Sequence, residues 1–332
     1  MRKRIIVYIK RYVNGELMNY RSIQYMRGIA ATAVVIKHAS HPGGRIEWLL
    51  DGGVDLFFII SGFVMFVSTQ GRNVGPGEFL FRRGARIFPM WWLALITAAV
   101  LGMGDGSWVD WLLSALLIPS SVSYGAGHVS WGVGWTLVFE MIFYLIFAIG
   151  LAIRSKWFAI GAILFLVGIG QVFGHSDAIP IARNLTNSLL LEFMLGMLVA
   201  MFVPPISVLV GSLLVGFAIA TLMTIPMSSR VLCLGLPIAT LVIAFVGIER
   251  ASPIPLVRPL QLLGDSSYSI YLFHYMAIGI LWLVVVPDSY WPLTALSGVM
   301  LGLFVYQFAE KPSLRFVMVV KGRWKSRRLI AS

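Results

Sequence analysis

The 332 residues are 58% hydrophobic and only 12% charged, about half the charge of an ordinary soluble domain. Apolar runs of about 20 residues recur along the whole length, which excludes a soluble globular enzyme and predicts a polytopic helical membrane protein. The formal charge of +12 does not point to nucleic acid, because its densest clusters (Arg2, Lys3, Arg4, Lys10 and Arg11; Lys321, Arg323, Lys325, Arg327 and Arg328) flank the apolar runs, where such charge sets topology or binds anionic headgroups.

Hydropathy and breaker residues divide the chain into about ten predicted spans, at 22–41, 54–70, 87–103, 132–152, 157–174, 185–203, 206–224, 231–248, 261–286 and 291–309. The expected fold is all-α: a membrane-embedded bundle over 19–315, with a basic segment at 1–18 and a basic tail at 316–332. No signal peptide is evident, since the basic start leads into Asn14, Gly15 and Glu16, and Met18 is an alternative start. Loops at 71–86, 153–156 and 249–260 hold Arg72, Arg82, Arg83, Arg86, Arg154, Lys156, Arg250 and Arg258; the opposite loops hold Arg45, Arg183 and Arg230. This asymmetry places both termini in the cytoplasm. Residues 104–131 then lie outside and include an apolar piece, Trp108 to Ile118, too short to cross and best read as interfacial or re-entrant. The single cysteine, Cys233, lies in an apolar run, so no intrachain disulfide can form.

In the first span, Arg27 and His38 are eleven residues apart, about three helical turns, so a helix projects both from nearly one face. About 16 Å of axial rise keeps them from touching. Titratable groups at such depth are costly and mark ion, proton or substrate sites. His38 is a candidate general base toward a hydroxyl, or else a headgroup-level histidine bonded to water; Lys37 and His41 are placed to snorkel. Asp55 enters the second span near the depth of His38, where a carboxylate could orient the imidazole, while Asp51 fits an exposed helix N-terminus. Arg82, Arg83 and Arg86 precede the third span. Arg83 and Arg86 share a helix face and suit phosphate recognition, although positive-inside topogenesis accounts for the charge by itself.

Glu140 lies inside the fourth span with Thr136 and Tyr144 on its face, and a buried carboxylate must be protonated or paired; Glu192 in the sixth is a similar candidate. In the ninth, Ser267, Tyr271 and His274 share a face, forming either a polar cavity or a hydrogen-bonded seam between helices. The tryptophans at 108, 111, 131 and 135 fit an interfacial aromatic belt, with sugar stacking as the sharper alternative.

Together these segments resemble the acyltransferase-3 family of integral membrane O-acyltransferases. The resemblance is carried by Arg27-Gly28-Ile29-Ala30-Ala31 through His38, by Gly53-Val54-Asp55-Leu56-Phe57-Phe58 to Ser61-Gly62-Phe63, and by Arg82-Arg83-Gly84-Ala85-Arg86-Ile87-Phe88-Pro89. Trp135-Thr136-Leu137 through Glu140 and Tyr144, Gly264-Asp265-Ser266-Ser267-Tyr268-Ser269-Ile270-Tyr271-Leu272 with His274, and Glu310-Lys311-Pro312 continue it. It runs from about residue 19 to 315 and is weak over 150–250.

The resemblance implies acyl transfer, commonly of acetyl, from cytoplasmic acyl-coenzyme A to a carbohydrate hydroxyl. By motif, His38 would be the catalytic base and Arg27 its companion. Arg83 and Arg86, with Arg82 beside them, would hold the phosphates of coenzyme A, and Glu140 would be a functional carboxylate in the central pore. Asp55 joins them as a catalytic candidate, and His274, Tyr271 and Trp135 as acceptor-binding candidates. Acetyl-coenzyme A is the expected donor, with no metal. The expected partners are a polysaccharide or lipid-linked oligosaccharide and membrane lipids, with no nucleic acid; a homo-oligomer is allowed. A short chain of this kind looks like the branch that decorates exopolysaccharides in the bacterial inner membrane. The alternative is a secondary transporter or lipid-linked glycan flippase using Arg27, Glu140 and His38 as a polar path, which lacks the expected internal repeat. A structural partner of an export complex would leave the intramembrane charges unexplained.

Overall fold

The computed structural model describes residues 20–123, 126–175, 178–227, 229–282 and 290–316. The basic segment at 1–18 and nearly all of the tail predicted at 316–332 lie outside the described residues. Helix α1 (Arg21–Ser40) has no side-chain cap of its own. Its first donors are taken instead by Glu249, which accepts from the Arg21 and Ser22 amides at 2.8 and 2.9 Å and from Ser22 Oγ at 2.5 Å, satisfying groups a helix start leaves orphaned. The helix stops at His41, whose left-handed backbone (φ 41°) returns its N–H to Lys37, as C-terminal caps do.

Helices α2 (Gly44–Thr69) and α3 (Pro76–Val100) begin well before the predicted spans at 54 and 87. Hydropathy cuts both short because charges run through roughly their first three turns. In α2 those charges are neutralised by partners elsewhere: Lys37 Nζ meets Asp51 at 2.5 Å, and Arg230 meets Asp55 at 2.7 Å. Asp51 is therefore an ion-paired mid-helix residue rather than an exposed N-terminus. Proline at the start of α3 suits its first turn, and Arg82, Arg83 and Arg86 fall inside the helix.

Outside the longest helices, α4 (Trp108–Ala115) is a short piece closed by a Ser107–Asp110 capping box. An antiparallel ribbon, β1 (Ser121–Ser123) with β2 (Ala126–His128), follows it and is a small exception to the all-α expectation. Helices α5 (Trp135–Ala152), α6 (Phe158–Phe173), α7 (Pro180–Leu185), α8 (Leu190–Phe202) and α9 (Val208–Thr224) come next. A wide π turn, Val231–Gly235, opens α10 (Leu236–Ala251). The predicted ninth span is two helices, α11 (Arg258–Asp265) and α12 (Ser267–Trp282), separated at Ser266. Helix α13 (Trp291–Val305) runs on through a second π turn, Tyr306–Glu310.

Among the described residues five helical rods are long and apolar enough to cross a membrane: Gly44–Thr69, Gly132–Ala152, Pro180–Phe202, Val231–Ala251 and Trp291–Phe316. Phe158–Phe173 and Val208–Thr224 are apolar but shorter. The other predicted spans fall short because α1 and α3 carry arginines and α12 is brief.

Packing in such a protein rests on close van der Waals contact and interhelical hydrogen bonds of about 0.6 kcal/mol each, since lipid tails are as apolar as leucine. The α2–α8 crossing shows the first. Gly62 faces the Phe193 carbonyl and Gly196 faces that of Ile59, so any Cβ would strike backbone. Around the crossing, Phe193 stacks on both Phe58 and Phe143 with ring centres 4.6 Å apart. Helix α1 occupies the centre, packed on α2, α10, α11, α12 and α13. By contrast, α9 buries only Gly211 and Ala218 and presents Leu209, Leu213 and Phe217 outward.

Candidate active site

Five helices converge on a cavity of about 100 Å³. Helix α1 supplies Arg27, α2 Phe57 and Ser61, α3 Arg83 and Arg86, α5 Thr136, Glu140 and Tyr144, and α12 Ser267, Tyr268 and Tyr271. The face predicted from Thr136, Glu140 and Tyr144 is thus one wall, and the α12 face another. None of the three arginines forms an ion pair with a described carboxylate. Arg83 spends one Nη2 hydrogen bond on Ser68 Oγ at 3.2 Å and lies over the Phe79 ring, while its Nε has no partner.

The nearby acids are held by hydroxyls instead. Glu140 accepts from Ser61 Oγ at 3.1 Å and from the Tyr144 hydroxyl. Glu310, buried in the second π turn, accepts from Ser269 Oγ at 2.5 Å within electrostatic reach of Arg27 and Arg86. An arginine at membrane depth costs roughly 3 kcal/mol. Three without acidic partners around one cavity form a ready site for a polyanion, because guanidinium forks match phosphate oxygens.

His38 is not part of that cavity wall. Its Nδ1 lies 2.9 Å from His274 Nε2, and the two rings meet edge to edge, their planes within 21° and their centres 5.1 Å apart. His274 is fully buried and its Nδ1 reaches the Tyr271 carbonyl at 2.8 Å; His38 is only half-buried. Tyr271 stands between the two regions. It lines the arginine cavity, its hydroxyl meets Thr136 Oγ1 at 2.9 Å and the Val133 carbonyl at 3.0 Å, and its ring centre is 6.1 Å from that of His274.

Three predicted residues lie elsewhere. Asp55 does not orient His38, because both its oxygens go to Arg230, at 3.1 Å to Nε and 2.7 Å to Nη2. That pairing wins because Asp55 has no exposed surface and a guanidinium fork offers two donors at once. Arg82 is exposed and meets Glu78 at 2.5 Å, one turn earlier on the outside of α3. Trp135 packs edge-on against Phe58 and Phe139. Glu192 lies against Asp55 and Arg230, fully buried, with neither carboxyl oxygen receiving a hydrogen bond from a described residue.

Sequence reasoning missed Ser61 and Tyr268 as wall residues and Glu310 as the acid behind the wall. Ser61 lies six residues beyond Asp55, on another face of the helix, and so gave no sign of itself, whereas Glu310 was visible as an acid inside an apolar run. Arg230, the partner of Asp55, was visible as an outer-loop arginine near the depth of Asp55.

A family model described as "Acyltransferase domain" matches residues 20–307. The chain is 33% identical over 321 residues to "Exopolysaccharide production protein ExoZ" of Rhizobium meliloti (strain 1021), a match covering 89% of this chain and 96% of that protein. It is 39% identical over 79 residues to "Protein 2 in picA locus" of Rhizobium radiobacter, covering 22% of this chain and 41% of that one. No solved structure gives a significant match.

Proposed function

The chain belongs to the acyltransferase-3 family of membrane O-acyltransferases, and on that premise we propose that it moves an acetyl group from acetyl-coenzyme A to a hydroxyl of an exopolysaccharide or its lipid-linked repeat unit. The chain works in the bacterial inner membrane, crossing it about ten times with both termini in the cytoplasm. The observation that carries this reading is the cavity in which Arg27, Arg83 and Arg86 converge without carboxylate partners. Coenzyme A offers three phosphate groups and an activated thioester, and the arginines are the residues that would hold those phosphates.

On the far side of Tyr271, His38 takes the proton of the acceptor hydroxyl. The hydroxyl oxygen forms the new ester bond as the acyl carbon–sulfur bond breaks, and the proton held by His38 leaves with the thiol. Glu140, fixed by Ser61 and Tyr144, offsets part of the repulsion among the three guanidinium groups and leaves their forks to the phosphates. Attack is direct, so no acyl-protein adduct forms.

The test uses purified protein in nanodiscs, with acetyl-coenzyme A and a glycan acceptor. His38→Ala should bind coenzyme A normally and lose turnover. Arg83→Ala with Arg86→Ala should lose binding. Normal turnover by His38→Ala would remove its role, binding that survives the double substitution would remove that of the arginines, and a kinetically competent acyl-protein adduct would overturn direct attack.

A further inference from the structure

We propose that His274 is the positioning residue that fixes the tautomer of His38, leaving His38 Nε2 as the proton acceptor; this rests on the acyltransfer reading above. A short chain of hydrogen bonds starts at the buried ring of His274. His274 Nδ1 lies 2.8 Å from the Tyr271 carbonyl and 3.2 Å from that of Ile270. A carbonyl oxygen only accepts, so Nδ1 must carry the hydrogen. A neutral imidazole has one N–H, so His274 Nε2 presents a lone pair. That lone pair faces His38 Nδ1 at 2.9 Å, and His38 must therefore donate from Nδ1. The same one-hydrogen rule then leaves the lone pair of His38 on Nε2.

Both rings are neutral in this arrangement. No described carboxylate pairs with either, Asp55 is occupied by Arg230, and a lone charge in a fully buried ring is costly. His274 also has little room to turn. A Cβ on Gly298 of α13 would come within 3.1 Å of His274 Cβ and 3.2 Å of Val35 Cγ1, so α13 closes flush behind it. Turning the ring over would set a C–H against the carbonyls and lose both bonds. The residue thus does for His38 what a carboxylate does for the histidine of a hydrolytic triad, using a backbone carbonyl as the final acceptor.

The experiment has an arm that needs no turnover. Nitrogen-15 spectra of histidine-labelled protein in nanodiscs should show His38 protonated at Nδ1 and bare at Nε2; the opposite tautomer would overturn the proposal. In kinetics, His274→Leu should lower kcat about 100-fold or more, as a misplaced tautomer does, with the KM for acetyl-coenzyme A within about twofold because the arginine cavity is separate. His274→Gln, whose amide can donate to Tyr271 and accept from His38, should recover kcat to within about tenfold of the parent. A His274→Leu protein with parental kcat, or a folded His274→Gln protein no better than His274→Leu, would also overturn it. Failure of the parent protein to transfer acetyl would instead sink the functional reading, while the spectrum still decides the tautomer.

Discussion

Two groups of charges lie within this bundle and are treated in opposite ways. Around Asp55, a carboxylate with no exposed surface is matched by the fork of Arg230, and Lys37 is matched by Asp51. Around Arg27, three guanidinium groups face one cavity and the acids nearest them are tied to serine and tyrosine hydroxyls. In the first group both ion pairs are closed, with the buried Glu192 carboxyl lying against one of them, so it holds helices together. The second is complete only with something anionic in it. Buried charge by itself therefore does not mark a binding site; several unpaired guanidinium groups around one cavity do.

The two groups should differ most at Asp55. Asp55→Ala should destabilise the folded protein by about 3 kcal/mol, because removing one member of a buried pair strands the other, as measured by unfolding in detergent micelles. A loss below about 1 kcal/mol would mean that Glu192 takes over Arg230 and that the pair is not self-contained. Arg86→Ala should cost about 2 kcal/mol of coenzyme A affinity, the range for a charged hydrogen bond, with thermal stability unchanged or raised; titration calorimetry gives the first and scanning calorimetry on the same sample the second. A fall in stability equal to the fall in affinity would turn the cavity into another structural pair.

Smaller effects sharpen the contrast. Lys37→Ala should cost about 1 kcal/mol of stability, the upper end for a partly exposed pair, and leave donor affinity alone. Arg82→Ala removes an exposed pair one turn apart on the outside of α3 and should change stability by no more than about 0.5 kcal/mol, with coenzyme A binding intact. Loss of binding there would extend the donor site beyond the cavity wall.

Much of the arginine cavity was legible in the sequence because its residues share faces at helical spacing: Arg83 with Arg86, Thr136 with Glu140 and Tyr144, Ser267 with Tyr271. His274 was legible at the depth of His38 from topology alone, and the two meet at 2.9 Å. What escaped was long-range. Whether Asp55 orients a histidine or pairs with an arginine depends on a partner 175 residues away, and hydropathy cannot see that neutralisation. The early start of α2 escaped for the same reason, since a charged stretch reads as loop until its partners are placed. The break at Ser266 has no proline or charge run to announce it.

The capping of α1 by Glu249 makes that helix a ruler with a pinned zero mark. Its rise sets the separation between the arginine end and the histidine end, and neither end can be adjusted without moving the other. Adding one residue between Arg27 and His38 would turn everything beyond it by about 100° and advance it about 1.5 Å, carrying His38 away from His274 while Arg27 stayed in place. Length in this segment is thus as strongly constrained as chemistry. Substitution at the exposed Ile29 can be absorbed, whereas a single insertion or deletion cannot.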